Sequence, residues 1–252
     1  MIVCADDYGL ADDINRAILA LIGIGRVSAV SCMVVLPGCR PEDLAPLFES
    51  RVRVDVGLHV TFSAGTVAGD HARSISPFLK SSLLGRVKPE VVHKEIAAQY
   101  DTFVHKTGRR PDFIDSHFHI HQFPGYSEGL LSFVQSLPTG IQPYIRNAYM
   151  PPSKIIRQGV SVAKCLSISL PGGRFRHALD RNGIKTNIGF AGVYDYGRWT
   201  RYGAYLHQFI KYMEPGNAIL MVHPGFKESW RKAEFEGLQQ NQLPDGFAGR
   251  FR

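Results

Sequence analysis

Three histidines alternate in the stretch DSHFHIHQFP (115–124): His117, His119 and His121. Imidazole is the commonest metal ligand among side chains. Two further histidines end short apolar runs, His59 in VDVGLHV (54–60) and His223 in NAILMVHPG (217–225). A carboxylate pair, Asp6–Asp7, closes the first apolar run, MIVCA (1–5). One aspartate with two imidazoles supplies one oxygen and two nitrogen donors. That set suits catalytic zinc or another divalent ion and leaves positions open for water and substrate. Such an ion lowers the pKa of bound water toward about 7, which makes a nucleophile available at neutral pH.

Spacing narrows the ligands. In an extended segment residues 117, 119 and 121 share a face, and in a helix 117 and 121 do. His117 is a candidate either way. A mononuclear site of Asp7, His59 and His117 is therefore expected. Asp6 projects away from Asp7 if the strand continues, so it can stay off the metal and serve as a base on the water. Each feature has an ordinary reading by itself. Asp6–Asp7 could cap the next helix, His59 could be a hydrogen-bonded core residue, His223 before Pro224 could mark a turn, and HFHIH could be a surface cluster. Their joint occurrence at successive strand ends argues against all of these together.

The elements that must position these residues alternate. Apolar strand runs at 1–5, 27–37, 54–60, 112–116, 143–147, 186–192 and 217–225 are separated by helical patterns. Helices are expected at 10–25, 41–50, 88–108, near 126–137, 153–170 (ended by Pro171), 199–213 and 228–240. Ile14, Ala17, Ile18, Leu21 and Ile22 form one stripe of the first; Val92, Ile96, Tyr100, Phe103 and Val104 line the third. Residues 63–86 read as a Gly/Ser-rich loop of the kind that carries function. Strands separated by helices imply a parallel α/β sheet, here a distorted TIM-like (β/α) barrel of about seven strands. An open doubly wound sheet is the alternative, but no GxGxxG or P-loop follows the first strand. The carboxyl ends of parallel strands are where ligands bind. Those ends carry Asp6–Asp7, His59, Asp115 with His117, Arg146–Asn147 and His223.

Composition bounds the class. The chain has 252 residues, 44% hydrophobic and 20% charged, enough for one sizeable α/β domain over 1–252. No apolar run approaches a membrane span, and the N-terminus reads as a buried strand, not a signal peptide. Cys4, Cys32, Cys39 and Cys165 show no CxxC spacing and read as reduced thiols of a cytoplasmic protein. The net charge of +7 is diffuse. Its densest spot, TGRRP (107–111), reads as a solvated loop, so nucleic acid is not expected as a partner.

Four stretches in order, VCADDYGL (3–10), VGLHVTFSAG (56–65), PDFIDSHFHIHQFP (111–124) and MVHPGF (221–226), resemble the YdjC-like carbohydrate deacetylases. That family includes chitooligosaccharide and hopanoid-associated sugar deacetylases. The resemblance spans nearly the whole chain. It implies a TIM-like barrel and a divalent-metal N-deacetylase acting on an N-acetylated sugar or oligosaccharide. Zinc is the first expectation for the ion, with magnesium or another divalent ion as alternatives. Carried over, Asp6 is the general base, Asp7, His59 and His117 the metal ligands, and His223 the general acid or oxyanion stabiliser. His119 and His121 shape the site or orient its ligands, with His121 the next ligand candidate. Phe118 departs from the family, which often has a second histidine there. A homodimer is compatible with the sequence. Two other readings stay open: another hydrolase, such as a phosphoesterase, on the same site, and a non-catalytic sugar-binding protein.

Overall fold

The structure, a computed structural model, describes residues 1–36, 39–62, 75–213, 216–240 and 250–251. Seven strands form one sheet: β1 (Ile2–Tyr8), β2 (Ala29–Cys32), β3 (Asp55–Val60), β4 (Phe113–Ser116), β5 (Tyr144–Ile145), β6 (Gly189–Ala191) and β7 (Ala218–Val222). Every pairing is parallel. The order β5-β4-β3-β2-β1-β7-β6 is the chain order taken around a ring. A doubly wound sheet would reverse direction at a switch point; this one does not. Its edges meet where Ile145 bridges Thr186 and Ile145 N–H donates to Lys185 O at 2.9 Å. The result is a curled, TIM-like barrel with fewer strands than the regular fold.

Helices flank the sheet: α1 (Asp12–Gly23), α2 (Pro41–Glu49), α3 (Ser76–Leu83), α4 (Pro89–Thr107), α5 (Tyr126–Ser136), α6 (Pro152–Gln158), α7 (Val162–Arg181), α8 (Tyr202–Tyr212) and α9 (Ser229–Gln240). The expected apolar stripes face inward. Ile14, Ala17, Ile18, Leu21 and Ile22 of α1 are buried, as are Val92, Ile96, Tyr100 and Phe103 of α4. Gly108 takes the left-handed conformation (φ 66°) that ends α4. No described helix is long and apolar enough to cross a membrane.

Three elements differ from expectation. The span 153–170 is two helices, and Pro171 lies inside α7 instead of ending a helix. Left-handed Gly159 (φ 70°) stops α6. Tertiary bonds carry α7 past the proline: Ser169 Oγ accepts from Met150 N–H at 3.0 Å, and Gly172 O accepts from Asn147 Nδ2 at 2.9 Å. Part of the 63–86 loop is α3; residues 63–74 lie outside the described residues. Finally, His117–Gln122 is a 3-10 turn kinked by left-handed Phe118 and His119 (both φ 56°), so neither strand nor α-helical face logic applies to it.

Gly57, in the middle of β3, is required by the neighbouring strand. A Cβ there would fall 2.5 Å from Phe113 Cδ2 on β4. Overpacking of this kind costs about 1–3 kcal/mol. Gly57→Ala is expected to lower the urea midpoint accordingly, without a change in m-value. An unchanged midpoint would contradict the close packing of Phe113 on Gly57.

Candidate active site

β1 ends irregularly. Its register against β2 shifts between Ala5 and Tyr8, and Asp7 has φ 69°. A left-handed non-glycine residue in a strand is strained and is commonly found at functional sites. The irregularity breaks the alternation that would send Asp6 and Asp7 to opposite faces. Both reach one cluster at the carboxyl ends of the strands. Asp7 Oδ1 lies 3.7 Å from His59 Nε2 and 3.3 Å from His117 Nδ1. Asp6 Oδ2 lies 3.9 Å from His223 Nε2. Four of the five expected strand ends, those of β1, β3, β4 and β7, therefore converge here.

Asp7, His59 and His117 present one donor atom each, all within 4.8 Å of one another. The arrangement fits a metal ion on the chemistry of its donors. Asp7 is 2% exposed, and its Oδ1 has no hydrogen-bond partner among the described residues. A buried carboxylate oxygen left unpaired is costly, and a cation bound between it and the two imidazoles removes that cost. The other carboxylate oxygen, Oδ2, accepts from Arg231 Nη2 at 2.6 Å. Burial would raise the Asp7 pKa, but Arg231 and His117 hold it well below the usual carboxylate range.

Behind His59 stands a carboxylate. His59 Nδ1 is 2.6 Å from Asp115 Oδ1 and 2.9 Å from Ser31 Oγ, and Ser31 donates to the same Asp115 oxygen at 2.5 Å. Such a partner fixes the tautomer with the proton on Nδ1 and aims the Nε2 lone pair at the site. Burial acts to raise Asp115, yet Arg146 and His59 keep it well below its ordinary value.

Arg146 is the hub. It is 1% exposed and grips Asp6 with both terminal nitrogens, at 2.5 Å (Nη1 to Oδ1) and 2.7 Å (Nη2 to Oδ2). Its Nε lies 2.7 Å from Asp115 Oδ2. A buried guanidinium needs such pairing, and here one cation orients the carboxylates of β1 and β4 together. A second cluster of donors, Cys4, Asp6 and Asp115, lies in the same place. Arg146 fills it, touching all three, with Cys4 Sγ at 3.4 Å, so it has no room for a second cation.

His223 is backed from α9. Glu234, 1% exposed, accepts the His223 backbone N–H at 2.5 Å, and its Oε1 lies 3.8 Å from His223 Nδ1. Tyr196 and Trp230 flank the imidazole, each with ring centroid at 5.8 Å. The remaining histidines behave differently. His121 has both ring nitrogens occupied: Nε2 donates to Arg146 O and Nδ1 meets Ser116 Oγ, each at 2.8 Å. Burial pushes its pKa down to about 4. His119 packs edge-on against Phe190 at 5.3 Å, and burial with Arg146 nearby pushes its pKa well down.

The sequence reading missed the contributions of Ser31, Arg231 and Glu234. Arg231 and Glu234 are three residues apart on one face of α9 and are 5% and 1% exposed. The available signal was their position just after the HPGF stretch, on a helix with few apolar residues to bury.

Fold and site together define a class: a parallel, TIM-like α/β barrel with a candidate one-metal centre of Asp and two His at the carboxyl ends of its strands. The chain belongs to the YdjC-like protein family, whose model matches residues 1–248. It is 25% identical to a carbohydrate deacetylase of Mus musculus, over 90% of this chain and 78% of that one. A carbohydrate deacetylase of Homo sapiens is 26% identical over 90% of this chain and 75% of its own length. A chitooligosaccharide deacetylase of Serratia marcescens is 28% identical over 54% of this chain and 56% of its own, so that match spans about half of either protein. Among solved structures, an Enterococcus faecalis V583 protein named as a candidate cellobiose-phosphate cleavage protein superposes with a TM-score of 0.59 at 20% identity. The superposition covers 95% of this chain and 90% of that one, and it speaks for the fold alone.

Proposed function

We propose that this chain, acting as one domain, is a metal-dependent hydrolase that removes the N-acetyl group from an amino sugar or oligosaccharide and releases acetate. The observation that carries the metal is the orphaned Asp7 Oδ1 facing two imidazole nitrogens. The names of the relatives supply the substrate class. One oxygen and two nitrogen donors favour zinc over magnesium, which prefers oxygen ligands.

A bound ion would supply Lewis acidity, lowering the pKa of water and polarising the amide carbonyl. The protein groups do the rest. Asp6 takes the proton of the attacking water. Its carboxylate is fixed by Arg146; Oδ1 also accepts from Cys4 Sγ, whereas Oδ2, on the His223 side, keeps a lone pair for that proton. His223, on the other side of Asp6, gives a proton to the departing amine nitrogen. Glu234 holds its backbone and faces Nδ1, which orients the ring with Nε2 toward Asp6 and the reacting group. Arg231 occupies the outer oxygen of Asp7, so a single oxygen is left for the ion. The phosphoesterase alternative calls for arginines free to bind phosphate at this mouth, and Arg146 is already committed to Asp6 and Asp115.

The direct test is enzymatic acetate detection over a panel of N-acetylated sugars, with and without chelator. Acetate should appear with at least one sugar, stop on chelation and return on addition of zinc. A protein of confirmed metal content that releases acetate from none of the panel, or whose acetate release ignores the chelator, contradicts the proposal.

A further inference from the structure

A second concentration of charge lies at the opposite end of the barrel. The loop entering β3 carries Arg53, and the loop entering β4 carries Arg109 and Arg110. With Arg250, Asp112 and Phe48 they line a pocket of about 150 Å3. Four guanidinium groups thus meet two carboxylates, Asp112 and the Asp55 that Arg250 holds. Among the described residues, Arg53, Arg109 and Arg110 form no ion pair. Arg250 binds Asp55 at 2.5 Å and lies 4.0 Å from Asp112. Asp112 is partly spent, because its Oδ2 accepts Val56 N–H at 2.8 Å. Arg109 is seated over the Phe48 ring at 5.0 Å, which fixes one wall.

Converging like charges repel, and the pocket offers them too little negative charge. Guanidinium forks match the oxygens of a tetrahedral anion. The volume holds several waters, at about 30 Å3 each, and falls below the roughly 300–1,000 Å3 of sites that enclose drug-sized ligands. One anionic group fits; a whole oligosaccharide does not. The position, at the amino ends of β3 and β4, separates the pocket from the catalytic mouth at their carboxyl ends.

We infer that this pocket binds a phosphate-type oxyanion, as free phosphate or as the phosphoryl group of a small metabolite. The bound anion joins Arg250 to the loops that enter β3 and β4. The neighbouring Phe251 ring already stacks on Tyr144 of β5 (4.0 Å, 11°), which stacks on Phe113 of β4 (5.1 Å, 21°). Occupancy therefore ties this segment to the β3–β4–β5 side of the barrel and stabilises it by linkage.

Calorimetric titration of inorganic phosphate into the metal-loaded protein, at constant ionic strength, tests the site. Wild type should bind one phosphate, and Tm should rise by about 5–10 °C at roughly a hundredfold excess over Kd. Arg53→Gln/Arg110→Gln changes two exposed side chains. It should weaken phosphate binding at least about tenfold, the loss expected for charge-assisted hydrogen bonds, and leave acetate release unchanged. A parallel titration with glucose 6-phosphate separates the sources: tighter binding than phosphate indicates a phosphorylated metabolite, and equal binding indicates the ion itself. Absence of binding, or binding undiminished in the double variant, overturns the inference; the second result would place the anion elsewhere, such as the candidate metal centre.

Discussion

Asp6→Asn is expected to lower kcat for acetate release by about 10²–10⁴-fold, with KM and metal content little changed. Asparagine is nearly isosteric but accepts no proton at neutral pH. The fold should survive the change. Arg146 loses one of two buried counter-charges but keeps Asp115 at 2.7 Å, and the asparagine carbonyl can still accept one guanidinium hydrogen bond. Asp6 touches Arg146, Cys4 and the His223 side of the site, whereas Asp7 faces His59 and His117. The metal should therefore be indifferent to position 6. Kinetics on both asparagine variants, with metal titration, separate the roles. Asp7→Asn should weaken metal binding and be partly restored by excess metal. Loss of metal in Asp6→Asn with retention in Asp7→Asn would exchange the two assignments. An Asp6→Asn enzyme near wild-type rate would move the base elsewhere, with His223 as the first candidate.

His117→Ala should abolish stoichiometric metal and, with it, turnover. His117 is the most exposed of the three donors, with 18% of its side chain accessible. Its removal opens a space to solvent without uncoupling a buried charge network. The protein should thus stay folded, and loss of metal cannot be blamed on unfolding. His121→Ala is the matched control. Its ring bonds Arg146 O and Ser116 Oγ, so its loss should cost stability but not stoichiometry. Metal analysis after gel filtration, beside circular dichroism of both variants, distinguishes the cases. If His117→Ala binds metal as wild type does while His121→Ala does not, the donor set is wrong.

Much of this site was legible because its residues sit at strand ends. A run such as VDVGLHV announces a buried parallel strand, and a polar residue at its carboxyl end has few roles besides ligand binding. His59, His117, Asp115, Arg146 and His223 were all readable in that way. What was not readable depends on local backbone geometry and on helices. The alternation rule sent Asp6 and Asp7 apart, and the irregular end of β1 brings them together. The same rule grouped His117 with His119 and His121, and two successive left-handed residues break that grouping. Arg231 and Glu234 look like ordinary helix-surface charges in sequence. Only the docking of α9 against the barrel mouth shows that they are buried behind Asp7 and His223. Pro171 misled for a related reason: tertiary bonds on both sides of it outweigh the cost of one missing N–H.

One divalent ion is proposed to sit between β1, β3 and the turn after β4. Anomalous diffraction from crystals grown with zinc, recorded on both sides of the metal edge, tests it most directly. One strong peak is predicted, bounded by Asp7 Oδ1, His59 Nε2 and His117 Nδ1 at about 2.0–2.2 Å. No peak there, or a peak instead among Cys4, Asp6 and Asp115 with Arg146 displaced, would contradict the account.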